Sequence, residues 1–179
     1  MKLLRTPYLE HFGEYGCRFF TTKVFPKEKL NSCERELLSK YGLPDSAIPF
    51  FYFDFHLAEL RDLKLEDALI VLGTAIEMAG FDYLYLAQDH QIKICLRDGN
   101  ILFVNSSLEQ FMQCIYQYSV WLEDIEDRAI EGFLQEVEAE DVFNLFYSLR
   151  AIDSKALKEG SMWSQIIQSE VNFEMVSYE

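Results

Sequence analysis

The sequence predicts a single domain that combines strands with helices, and two observations predict it. The first is the stretch from Ile92 to Ile115, which reads as strand, turn, strand and capped helix. The second is what surrounds it: strand-length runs of β-branched and aromatic residues come before, and amphipathic helical stretches come after. No repeat, low-complexity tract or Pro/Gly-rich linker divides the 179 residues. One domain over residues 1–179 is therefore expected, long enough to bury a proper core.

The elements can be justified in order. Gly13 and Gly16 suggest a loop, and Arg18 to Lys23 alternates enough for a short strand. Asn31 or Ser32 caps a short helix, with Glu34 at capping-box spacing from Asn31 and Leu37, Leu38 and Tyr41 as its apolar stripe. Gly42 stands at the usual ending position, and Pro44 prevents continuation. Phe50 to Phe55 reads as an aromatic strand, which is a core element or, less simply, a ligand-stacking face. Leu57 to Asp67 is a charged connection. Ala68 to Leu72 is a buried strand stopped by Gly73, and Phe81 to Ala87 is another, turning through Asp89-His90 into Ile92. The strands Ile92 to Leu96 and Ile101 to Val104 flank Asp98-Gly99, a favoured pair for a two-residue type I′ turn. Ser106 with Glu109 three residues on forms a capping-box pattern, and Leu108, Phe111, Met112 and Ile115 give one apolar helical face. Trp121 to Leu134 continues helical, with Trp121, Leu122, Ile125, Ala129 and Phe133 opposite a row of acids. Glu140-Asp141 opens a further helix whose stripe of Val142, Phe143, Phe146, Tyr147 and Leu149 is expected in the core. Met162 to Gln168 forms a short last helix packed down by Trp163, Ile166 and Ile167, and a loose tail follows Val171.

Composition narrows the function. Half the residues are hydrophobic and 15% aromatic, so disorder is not expected. No apolar run approaches the ~18 residues of a membrane span, and the first residues lack the apolar region of a secretory signal. Cys17, Cys33, Cys95 and Cys114 are widely spaced, which suits reduced thiols in a cytoplasm. The net charge of −14 is unevenly spread, since residues 123–141 hold nine acidic groups against Arg128 alone. Such a surface repels phosphate backbones, so no nucleic-acid partner is expected. It is either a plain solvated face or a surface that attracts a basic partner.

A search for catalytic chemistry yields little. His11, His56 and His90 are isolated, without metal-ligand spacing, and His90 is expected to be exposed in its turn. The glycines make neither a dinucleotide fingerprint nor a phosphate loop. Ser106 and Ser107 lie on a strand-to-helix turn, as a hydrolase nucleophile does, but no glycine flanks them, and capping explains Glu109 as well. No catalytic residue, metal or cofactor is therefore expected.

The order of these elements resembles a known family. Tyr41-Gly42-Leu43-Pro44 followed by Pro49-Phe50-Phe51 is similar to the helix end and aromatic strand of the SUKH superfamily. Ile70-Val71-Leu72-Gly73 resembles its central strand. Ile94-Cys95-Leu96, Gly99 and Val104-Asn105-Ser106-Ser107-Leu108-Glu109-Gln110-Phe111 resemble its final hairpin and long helix. Ile152-Asp153, Ala156-Leu157 and Trp163 look like its C-terminal segment. The likeness is closest to the fourth subgroup, which consists of bacterial immunity proteins. The chain departs from it after Gly73, where Thr74 to Gly80 replaces a Ser and an Asp/Gly-rich turn and reads as a longer, more apolar loop.

The resemblance implies an α+β fold: a mixed, mostly antiparallel sheet packed against helices, as in the cell-wall synthesis regulators of the superfamily. It divides the chain into an extension (1–30), a family-like core (31–168) and a tail (169–179). It also implies a function without chemistry, the binding of a cognate toxin inside the producing cell. The alternative is a regulatory interaction module, because a fold does not settle a function. If the partner is a toxin, a basic nuclease suits the acidic segment. Glu123, Asp124, Glu126, Asp127, Glu136, Glu138, Glu140 and Asp141 are then the candidate contact residues.

Overall fold

Hairpins built around alternating apolar residues give the protein its sheet. The computed structural model describes residues 5–13, 16–19, 29–47, 51–53, 67–77, 80–130 and 137–176. In order the chain forms α1 (Arg5–Phe12), β1 (Cys17–Arg18), α2 (Ser32–Lys40), β2 (Leu43–Pro44), β3 (Ser46–Ala47) and β4 (Phe51–Tyr52). There follow β5 (Ala68–Glu77), β6 (Gly80–Ala87), β7 (Ile92–Cys95) and β8 (Ile101–Asn105). The rest is helical: α3 (Leu108–Ile130), α4 (Ala139–Ile152), a 3₁₀ turn (Ser154–Leu157) and α5 (Met162–Val176). Strands β3 to β8 form one sheet in sequence order, β1 and β2 a second small one, and every described pair is antiparallel. The architecture is α+β, as the resemblance implies.

Ile70, Leu72, Leu84, Leu86, Ile92, Ile94 and Val104 bring the sheet to one buried cluster. There they meet Leu37 and Leu38 of α2, Phe111, Met112 and Ile115 of α3, Val142, Leu145 and Leu149 of α4, and Trp163 of α5. The α2 cap is the one its spacing predicts. Asn31 Oδ1 accepts from the Glu34 N–H at 3.0 Å, and Glu34 Oε2 accepts from the Asn31 N–H at 2.8 Å. Gly42 ends the helix in the left-handed region, its N–H bonded to Leu37 O.

Several expectations are corrected. Helix α1 occupies a segment to which the sequence reading assigns no element, and strand pairing after it covers Cys17–Arg18; residues 20–23 lie outside the described residues. Among the described residues the aromatic strand pairs over Phe51–Tyr52, with Phe53 fully buried beside it. Residues 54–66, with Phe55, His56 and most of the charged connection, lie outside the described residues. Gly73 does not stop β5, which runs on to Glu77. The register steps from Val71↔Tyr85 to Gly73↔Leu84, so Gly73 lies at a β-bulge, where a missing side chain eases the local kink.

The turn before β8 also differs. Leu96 pairs with Asn100 and the Gly99 N–H bonds to Leu96 O, so the loop is three residues long. Only Gly99 has a positive φ, at 86°, which is a type I turn closed by a glycine bulge rather than type I′. At the other end of the chain, α5 continues through the expected tail to Val176, since no glycine or proline interrupts it.

Candidate partner-binding surface

Two groups of polar residues stand out, one buried and one exposed. The buried one begins at a bulge. Between Ile92↔Asn105 and Lys93↔Phe103 the register slips at Val104, so the consecutive residues Val104 and Asn105 are both fully buried. Asn105 Nδ2 donates to Asp153 Oδ2 at 3.2 Å and to Cys114 Sγ at 3.4 Å, while its Oδ1 accepts from Trp163 Nε1 at 2.9 Å. The Ser106 N–H donates to Asp153 Oδ2 at 2.7 Å and Ser106 Oγ to Asp153 Oδ1 at 3.1 Å. The Lys155 N–H completes the set on Oδ1 at 3.1 Å. Asp153 is only 4% exposed, yet both of its oxygens are satisfied.

Ser106 is therefore not the helix cap. Ser107 caps α3, its Oγ accepting from the Gln110 N–H at 3.2 Å, and Gln110 Nε2 reaches Ile152 O at 2.9 Å. Nor is Ser106 arranged as a nucleophile. Its hydroxyl points at a carboxylate, and the described histidines are engaged elsewhere. His11 pairs with Glu123 at 3.3 Å; His90, its side chain 44% exposed in its turn, lies 2.8 Å from the buried Glu34 carboxylate. The network staples the C-terminal segment to the last hairpin. Burial pushes the Cys114 thiol within it up to about 12. Among the described residues no cluster of His, Cys, Asp or Glu could hold a metal ion.

The exposed group is the acidic face. Helix α3 buries Trp121 and Ile125 and turns Glu123, Asp124, Glu126 and Asp127 to solvent, since the two sets fall on opposite sides at 3.6 residues per turn. The eight candidate residues are not equivalent. Arg128 bridges Asp124 (3.1 Å) and Asp141 (2.8 Å), joining α3 to α4. Asp141 is half-buried: its carbonyl accepts from Trp121 Nε1, and its Oδ2 accepts from the Glu138 N–H to cap α4. Glu123 is tied to His11, which is wedged between the rings of Phe12 and Tyr116. Glu126, Asp127 and Glu140 are exposed and form no ion pair among the described residues. Glu136 lies outside the described residues.

One feature of α4 was not legible in the sequence. Val142, Leu145 and Leu149 are its buried stripe, which leaves Phe143 and Tyr147, expected in the core, each 61% exposed. The signal was Leu145, whose i+3 and i+4 relation to Val142 and Leu149 turns the apolar face away from both rings.

A family model described as SUKH-4 immunity protein matches residues 9–169. The chain belongs to this family. Membership in the SUKH-4 immunity proteins brings a toxin-immunity role and a toxin as partner, in a family that is generally non-catalytic. The motif residues of the resemblance, Asn105, Ser106, Asp153 and Trp163, are those of the buried staple, so what marks this SUKH-4 member is internal architecture. No curated protein and no solved structure matches the chain. No helix among the described residues is long and apolar enough to cross a membrane.

Proposed function

We propose that this protein neutralises a basic toxin, a nuclease in the simplest case, by binding it through the acidic face of α3 and the start of α4 in the cytoplasm of the producing bacterium. The observation that supports this reading is the division of α3. Its apolar side is used by the core, while Glu126 and Asp127, with Glu140 on α4, are exposed and unpaired among the described residues. Nucleases grip phosphates with basic surfaces, and a dense negative face both speeds the encounter and occupies that surface in place of phosphate. The protein contributes no chemistry in this scheme. Binding alone blocks the toxin.

Glu126 and Asp127, which form no ion pair among the described residues, give the cleanest test, since reversing Asp124 or Asp141 would also break the Arg128 bridge and Glu140 lies in the first turn of α4, where a carboxylate favours the helix. Association with an inactivated toxin encoded beside this chain's gene should be followed by stopped flow at several salt concentrations. E126K/D127K should slow association about tenfold or more at low salt and flatten its salt dependence, with little change in melting temperature. Unchanged rates and an unchanged salt slope would leave the acidic face as a plain solvated surface.

A further inference from the structure

Helix α3 ends in the chemistry least suited to a helix end. Glu123, Asp124, Glu126 and Asp127 crowd its last turns, where the aligned peptide dipoles place partial negative charge and favour cations. Packing does not compensate. Ile125 is the last buried residue of α3, and Glu126, Asp127, Ala129 and Ile130 are all exposed. Arg128 is the one base in the final turn, and of residues 126–130 it alone is not exposed. Its guanidinium reaches back to Asp124 at 3.1 Å and across to Asp141 at 2.8 Å. Asp141 is where the contacts converge. Its Oδ1 takes Arg128, its Oδ2 accepts from the Glu138 N–H at 3.2 Å, and its carbonyl accepts from the buried Trp121 Nε1 at 3.0 Å. The carboxylate is only 15% exposed, so it is held by the body of the protein. Trp121 fixes Asp141, and Asp141 fixes Arg128. Among the described residues this chain of bonds ties the turn that carries Glu126 and Asp127 to α4.

We infer that Arg128 is a positioning residue for the partner surface. It pins the exposed last turn of α3, so that Glu126 and Asp127 meet the partner in one fixed arrangement. The inference rests on the toxin-binding reading for the partner, whereas the pinning is a property of this chain alone. Charge and positioning predict opposite results when Arg128 is lost. Removing a base from an acidic surface strengthens its long-range pull on a basic partner. Loss of a positioning residue weakens the complex all the same, because the partner must then order a frayed turn as it binds. The pull acts before contact and governs association, while the ordering acts after contact and governs dissociation.

The test compares R128M, which keeps an unbranched stem and the helix propensity, with R128K, which keeps a cation. A lysine can bridge two carboxylates in this protein, as Lys93 does between Asp67 and Asp89. In the free protein, amide hydrogen exchange of residues 126–130 should quicken about tenfold in R128M, with residues 111–121 unchanged. With the inactivated toxin at low salt, R128M should associate no more slowly than the unaltered chain and dissociate about tenfold faster. R128K should restore most of the slow exchange and of the slow dissociation. Unchanged exchange in R128M overturns the pinning. Quickened exchange with an unchanged dissociation rate overturns the positioning role and leaves the toxin reading standing. A complex that R128M tightens, as its added net negative charge alone dictates, overturns the positioning role as well. A toxin that ignores the unaltered chain, with exchange quickened in R128M, sinks the toxin reading and keeps the pinned turn.

Discussion

Asp153 gathers hydrogen bonds from Asn105, Ser106 and Lys155, and so joins the end of β8 to the segment after α4. Removing its carboxylate leaves the Asn105 amide and the Ser106 N–H facing an empty interior. Asp153→Ala should cost roughly 3 kcal/mol or more, because each orphaned donor bears its own desolvation penalty. Ser106→Ala loses only the hydroxyl bond and keeps the N–H bond, so about 1 kcal/mol is expected. Ser107→Ala should cost about 1 kcal/mol as well, through loss of the cap. Urea denaturation of the three variants checks the order. Near-neutral Asp153→Ala would show that the staple carries little of the stability.

The buried thiols make a pH prediction at the same scale. Burial raises Cys114 from an ordinary 9.0 to about 12, and burial with nearby Asp45 raises Cys17 to about 11. A group whose pKa rises on folding contributes fully below its unfolded value and loses that contribution as pH climbs through the folded one. Stability should therefore fall between about pH 9 and pH 12 and less steeply in Cys114→Ala. At pH 8 alkylation of the folded protein should mark exposed Cys33 and spare Cys17 and Cys114, as mass spectrometry of the labelled peptides would show.

Among the elements, local chemistry was readable and long-range chemistry was not. The Asn31/Glu34 cap, the Gly42 stop and the strand–turn–strand–helix unit follow from neighbours in sequence, and the structure has them. Ser106 and Ser107 both match a capping pattern, with Glu109 and Gln110 respectively. The choice falls to Ser107 because Asp153, 47 residues away, takes the groups of Ser106. The bulge at Gly73 likewise depends on its pairing with β6, which no spacing in β5 reveals. The acidic side of α3 was legible from periodicity, whereas the exposed rings of α4 were hidden by counting aromatics as core. The β6–β7 and β7–β8 loops share a geometry, with His90 (φ 62°) in the first standing where Gly99 (φ 86°) stands in the second. A Cβ at Gly99 would meet no atom within 4 Å, so Gly99→Ala tests backbone strain alone. It should cost about 1–2 kcal/mol in a thermal melt; an unchanged melting temperature would mean that the loop re-forms in another turn type.

At the scale of the molecule, the acidic face is a cost to the fold, because like charges held close together repel. A net charge of −14 repels itself, and more than half of it arises in residues 123–141, where Arg128 is the sole base. Arg128 offsets part of the repulsion by bridging Asp124 and Asp141, but Glu126, Asp127 and Glu140 have no such partner among the described residues. Salt screens exposed charges over about 10 Å at 0.1 M, so the melting temperature should rise as salt is added from low concentration. Neutralising Glu126 and Asp127, as E126Q/D127N, should raise the melting temperature at low salt by roughly 2 °C and flatten that rise. The same variant should associate more slowly with a basic partner, because the charge that strains the fold also draws the partner in. Paired measurements of melting temperature and association rate across salt would test this opposition. A variant that is no more stable at low salt than its parent would show that the repulsion is already relieved, and the cost argued for the acidic face would disappear.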